Sequence, residues 1–149
     1  MRERIPNIVI TSDVIVGFPG ETTEEFEDTL SLVKEVRYDA LFTFIYSPRK
    51  GTPAAELPDP MSRTDKLANF NRLVAAQDAI SAEKHAAYVG STVRCLVDGT
   101  GEDGGFHLTA RTAGNRLVKL ASTDESLIGQ YRDVKITGSN TWSLTGELV

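Results

Sequence analysis

The run Ile8 to Val16 is rich in valine, isoleucine and threonine and ends at Gly17, Pro19 and Gly20. Such a near-continuous apolar run suits a strand buried on both faces, as in a parallel sheet. Thr22 then stands three residues before Glu25, the spacing of a capping box. Phe26, Leu30 and Val33 recur at helical spacing up to about Val36. Ala40 to Tyr46 (ALFTFIY) supplies a second strand. Strand, helix and strand within about 40 residues form a βαβ unit, parallel and right-handed. Strands buried on both faces need neighbours on both sides. The first 60 residues therefore read as the end of a larger α/β barrel. In such barrels the C-terminal strand ends carry the site, which points to Gly17–Glu21 and Ser47–Ala54.

Ser47 to Pro60 holds four prolines and no periodicity, the composition of a functional loop. Ser62 or Thr64 can cap a long helix that runs to about Tyr88, with Gly90 as its stop. From Ser91 the texture changes to short alternating runs: TVRCLVD, HLTARTA, RLVKLA, YRDVKIT and WSLTGELV. DGTGEDGG (Asp98 to Gly105) and TAGN (Thr112 to Asn115) read as turns between them. Five short strands at this spacing predict a small β-barrel, with a boundary near Val89. The expected architecture is thus α/β followed by all-β, with domains at 1–88 and 89–149.

The chain carries 16 Lys and Arg against 21 Asp and Glu, for a net charge of −5. That balance argues against a strongly basic nucleic-acid binder. The segment Ala110 to Leu120 is different, with Arg111, Arg116 and Lys119 and no acid. It is the one electrostatic hint of a phosphate partner. His107, Thr109 and Arg111 share one face of a strand, with Leu108 and Ala110 on the other. By charge alone the hairpin is either a solvated surface or a phosphate-binding one.

Cys95 is the only cysteine, which excludes an internal disulfide framework. It alternates with Val93 and Val97 and reads as a small buried hydrophobe. His85 and His107 have no Cys or carboxylate at ligand spacing, so no metal site is expected. Trp142 alternates with Leu144 and Leu148, which predicts core or edge packing rather than base stacking. No apolar run approaches the roughly 18 residues of a membrane span, and no signal peptide is visible. The expected compartment is the cytoplasm.

The segments DVIVGFPGETTEEF and FTFIYSPRKGTPAAELP, at their separation in this chain, resemble the late part of a radical-SAM barrel in the methylthiotransferase family. From residues alone, IVGFPGE is also compatible with an ordinary βα turn, and the proline loop with a solvated one. The resemblance implies the last βα units of a partial TIM-type barrel. Ile15 and Gly17 would line the adenine pocket of S-adenosylmethionine, with Tyr46, Ser47 and Pro48 beside them. Arg49 and Lys50 would face the barrel mouth. The last 60 residues resemble the TRAM domain of these enzymes, which implies a tRNA-binding barrel with Arg111, Asn115, Arg116 and Lys119 as contacts.

Basic residues after Ser-Pro, the segment NRLVKL and the close SLTGELV resemble the tRNA-modifying (MiaB-type) branch. The ribosomal-protein (RimO-type) branch and a non-catalytic TRAM RNA-binding module are the alternatives. The resemblance implies 2-methylthio transfer to isopentenyladenosine beside the tRNA anticodon, with the anticodon stem-loop as partner. It also implies S-adenosylmethionine and two [4Fe–4S] clusters, each wanting three or four thiolates. One cysteine cannot supply them, and the Cys-x3-Cys-x2-Cys loop is not in this sequence. The chain is therefore expected to be a C-terminal portion of a longer enzyme, with no catalytic residue and no metal ligand of its own.

Overall fold

The computed structural model describes residues 2–149, and the side chains of all of these except Glu102 and Asp103. It divides into two compact units. One is Val9–Ile80; the other is Ser81–Val149 with the N-terminal residues up to Ile8.

The first unit holds strand β1 (Thr11–Val16), helix α1 (Thr23–Val36), strand β2 (Ala40–Ile45) and most of helix α2 (Arg63–Ala86). β1 and β2 pair in parallel, with Thr11 opposite Ala40 and Val16 opposite Ile45. The capping box forms as expected: Thr22 Oγ1 accepts from the Glu25 N–H at 3.2 Å, and Glu25 accepts from the Thr22 N–H at 2.8 Å. At the other end the chain leaves α1 through Arg37, which is left-handed at φ 52°. Ser62 caps α2, its hydroxyl accepting from the Asp65 N–H at 3.1 Å. Val16, Phe26, Leu30, Val33, Leu73 and Ile80 form one buried core. A bidentate Arg72–Glu27 pair lies over it, with the Arg72 guanidinium 5.2 Å from the Phe26 ring.

The expectation of strands buried on both faces is corrected here. β1 starts at Thr11, and burial along both strands alternates. Val14, Val16 and Leu41 face the helices. Ile15, Phe42 and Phe44 are exposed at 53%, 59% and 54%. The reason is the strand count: a two-stranded sheet offers two faces, and the helices here cover one. The described residues form this two-stranded sheet and no further strand of an α/β barrel.

The second unit is a closed five-stranded barrel. Its strands are β3 (Thr92–Asp103), β4 (Phe106–Thr112), β5 (Leu117–Leu120), β6 (Tyr131–Ser139) and β7 (Leu144–Leu148), in the order β3-β4-β5-β7-β6. The β5–β7 pair is parallel and the others are antiparallel. Cys95, Val97, Leu108, Ala110, Val118, Leu120, Val134, Ile136 and Leu144 fill its interior, with Leu127 as a plug. These are the inward members of each alternating run.

Two boundaries and one side chain differ from expectation. Asp98 to Asp103 continues β3, and only Gly104 and Gly105 make the hairpin turn. Register shifts between Val97 and Gly99, and again between Thr100 and Asp103, let the glycine-rich strand keep pairing. α2 ends at Ala86 rather than Tyr88, and Gly90 at φ 87° does end the segment. Trp142 is 74% exposed, against the packing role expected of it. It precedes β7 in a turn, so the two-residue period of the strand does not reach back to it.

Candidate functional site: a barrel hairpin and two strand ends

The β4–β5 connection is a tight turn built by Thr112. Its carbonyl accepts from the Asn115 N–H at 2.9 Å, and its hydroxyl accepts from the Arg116 N–H at 3.1 Å. Asn115 takes the left-handed conformation at φ 60°, which asparagine tolerates. Its side chain stands exposed at the tip.

Arg111 and Lys119 leave this turn on the outward face of β4 and β5. Arg111 pairs with Leu117 and Thr109 with Lys119. The two cations are thus diagonal neighbours, about 7–8 Å apart at the backbone. Arg111 is not a lone charge: its Nε donates to Asp98 Oδ2 at 3.0 Å. Asp98 Oδ1 also accepts from the Thr109 hydroxyl at 2.7 Å. Burial pushes the Asp98 carboxyl up, but the bonds from Thr109 and Arg111 outweigh it and hold it below its ordinary value.

Arg116 differs most from its sequence reading. It is 7% exposed, and its guanidinium lies 5.3 Å from the Tyr88 ring. The residue opens an inward position just before β5, so its head is drawn under the turn rather than toward a phosphate run. It braces the turn that carries Asn115. Asp98 and Tyr88 were not foreseen as partners. The sequence places Asp98 in a turn, and only the register across the glycine bulge brings it to Arg111.

At the other candidate site the two strand ends meet. The Tyr46 N–H donates to the Val16 carbonyl at 2.8 Å. Gly17 is left-handed at φ 72°, and its N–H donates to Glu21 Oε2 at 2.6 Å. A Cβ on Gly17 would fall 2.6 Å from Lys66 Cγ and Cδ, so glycine is required there twice over. Lys66 is buried, bonded to Asp59, with its Nζ 5.6 Å from the centre of the Tyr46 ring. Phe18 meets that ring edge-on at 5.3 Å. Ile15 stands open, and Ser47 and Pro48 are exposed. A cavity of about 450 Å³ lies nearby between Gly20–Thr23 and Pro60–Asn69, but Ile15 and Tyr46 do not line it.

No group of three His, Cys, Asp or Glu among the described residues could hold a metal ion. Cys95 is fully buried, and burial, with the Asp133 charge behind it, pushes its thiol up to about 11. A protonated thiol inside a barrel does not fit an iron–sulfur cluster. Two results are expected. Anaerobic reconstitution of this chain with iron and sulfide should give no cubane spectrum. A thiol reagent at neutral pH should label Cys95 only when the chain is denatured. Because folding raises the thiol from 9.0 to about 11, its contribution is intact below pH 9 and stability should fall as pH rises through that interval. Rapid labelling of the native chain would contradict this.

Residues 86–149 match the TRAM domain. That defines the second unit as a TRAM barrel, in agreement with its closed five-stranded topology. The whole chain is 48% identical over 147 residues to a Clostridium botulinum (strain Langeland) protein named tRNA-2-methylthio-N(6)-dimethylallyladenosine synthase, covering 99% of this chain and 32% of that one. Proteins of the same name in Thermoanaerobacter sp. (strain X514) and Bacillus cereus (strain B4264) are 48% and 47% identical over 149 residues, covering 31% and 29% of their lengths. Along its full length the chain is similar to the C-terminal part of these tRNA methylthiotransferases. It spans about a third of the length of these relatives.

No helix is long and apolar enough to cross a membrane among the described residues.

Proposed function

We propose that this chain is the C-terminal portion of a radical-SAM enzyme that adds a 2-methylthio group to isopentenyladenosine beside the tRNA anticodon. The observation that carries this reading is 47–48% identity along the full chain to proteins of that name. On this reading residues 1–88 end the radical-SAM domain and 89–149 form the TRAM domain. The enzyme works in the cytoplasm, and its partner is the anticodon stem-loop. The open face at Ile15, Phe42 and Phe44 is then the barrel interior, closed by preceding strands.

S-adenosylmethionine, with reducing clusters held elsewhere in the enzyme, supplies the radical chemistry and the methyl group. The residues here fit part of its pocket. Ile15 offers an apolar surface to a flat ring. The Tyr46 hydroxyl is buried with no hydrogen bond, an acceptor and donor in reserve at the strand ends. The exposed backbone of Ser47 and Pro48 can meet adenine edges, while Gly17 keeps the turn close and is itself covered by Lys66. The chain has one cysteine, and no metal-holding group occurs among the described residues, so on this reading the chain alone is inactive.

The barrel contributes the RNA contact. Arg111 and Lys119 on the strands, with Asn115 at the tip, offer two cations and an amide to phosphates and splayed bases. Arg116 holds the turn from beneath. Arg111→Ala and Lys119→Ala should each weaken binding of an anticodon stem-loop by about 1 kcal/mol, the scale of a charge-assisted contact at a wet interface. Each should lower the salt slope by close to one unit. Stem-loop affinity measured at several salt concentrations tests this. Unchanged affinity and slope in both variants would reduce the face to a solvated surface.

A further inference from the structure

Trp142 is the only tryptophan of the chain, and it stands in solvent. The turn beneath it is nevertheless fixed. Asn140 Oδ1 accepts from the N–H groups of Trp142 at 2.8 Å and Ser143 at 2.7 Å. The Asn140 N–H donates to the Ser143 carbonyl at 2.9 Å. The Asn140 carbonyl accepts from His85 Nδ1, also at 2.9 Å. His85 and Ser143 are both buried. The indole is thus held outward on a pinned backbone, which lowers the ordering cost of using its flat face.

Its place in the barrel is set by strand direction. β5 and β7 run parallel, with Val118 opposite Leu144. Both strands therefore start at one end of the barrel, and the turns that precede them, Ala113–Arg116 and Asn140–Ser143, are neighbours there. Asn115 is exposed on the first turn and Trp142 on the second. Arg111 and Lys119 lead away from that end on the outward face, in a segment that carries no acid from Ala110 to Leu120. An exposed aromatic face beside a cationic track is how single-stranded nucleic acid is held without sequence readout. A protein partner would want an apolar rim, whereas the neighbours in these turns are Asn115, Asn140 and Thr141.

We propose that Trp142 stacks on an unpaired nucleobase of an RNA whose backbone follows Arg111 and Lys119. This rests on the RNA-binding reading of the barrel and adds to it a base contact at a named side chain.

The lone indole reports its own occupancy. The 149-residue chain is titrated with a short RNA hairpin bearing an unpaired loop, with the same hairpin carrying abasic loop sites, and with a blunt RNA duplex. Saturable quenching of Trp142 fluorescence is expected from the first probe only. Trp142→Ala should weaken hairpin binding roughly 5- to 100-fold, the range of one base–aromatic stack. Its salt slope should stay unchanged, because stacking releases no counterions. Trp142→Phe should recover part of the loss, and both variants should melt as the wild type does.

If Trp142→Ala binds the hairpin like the wild type and the indole is not quenched, stacking is overturned while RNA binding by the barrel stands. Failure of the wild type to bind any of the RNAs overturns both readings. A concentration-dependent dimer that Trp142→Ala dissolves would assign the side chain to a second copy instead and overturn the proposal.

Discussion

Phe26→Ala should destabilise the β1–α1–β2 unit by about 3–5 kcal/mol, the usual range for emptying a buried aromatic site. Phe26 is fully buried among Leu30, Val33, Leu73 and Val16, and the Arg72 guanidinium covers its ring. Stability of a domain this size is about 5–15 kcal/mol, so the loss is a large share of it. The two units have separate buried cores, so the damage should be local. Hydrogen exchange should quicken at the β1 and β2 amides while those of Val118 and Ile136 keep their protection. A loss below about 1 kcal/mol, or equal loss of protection in both units, would show that the site collapses easily or that the cores are coupled.

Gly146→Ala should cost the barrel toward the upper end of the 1–3 kcal/mol typical of overpacking. A Cβ there would lie 2.5 Å from Val134 Cγ1 and 2.8 Å from the Lys135 carbonyl oxygen. The valine methyl can rotate, but the carbonyl belongs to the strand that pairs with β7 through Ile136 and Gly146. Relief therefore means separating two strands of a closed barrel. For a unit of this size each kcal/mol shifts the melting temperature by roughly 4–8 °C. Gly129→Ala is the control. Gly129, unlike Gly146, is left-handed, at φ 85°, and its Cβ would meet open space. It should cost only the conformational strain, about 1 kcal/mol. A Gly146→Ala protein that melts with the wild type would mean that the barrel breathes enough to accept a methyl at its seam.

Much of this structure was legible because local chemistry and tertiary demand agree. The Thr22–Glu25 box, the apolar stripe of α1 and the inward alternation of β4 and β5 each form where the residues place them. The glycine-rich β3 misled because glycine marks both turns and bulges, and only pairing with β4 decides between them. Trp142 misled because alternation was carried past the end of a strand. Arg116 misled because charge says nothing of direction: the residue precedes a buried valine by two and turns inward onto Tyr88. Arg111 and Lys119 were visible as cations. The neutralising bond that Arg111 donates to Asp98 was not, since it depends on a register set by two irregularities.

The parallel pairing of β5 with β7 has a consequence for biosynthesis. β3, β4 and β5 are consecutive neighbours and can pair as they emerge from the ribosome. β6 then returns to pair with β3, leaving a gap one strand wide between β5 and β6. Only residues 144–148 fill that gap, and Leu144 brings the last buried side chain of the core with it. Until they have been released, Val118 and Ile136 face an open seam. A nascent chain stalled before residue 144 would carry Arg111 and Lys119 on a barrel that cannot close. The seam thus stays open until residues 144–148 are free, and a quality-control protease would meet it first.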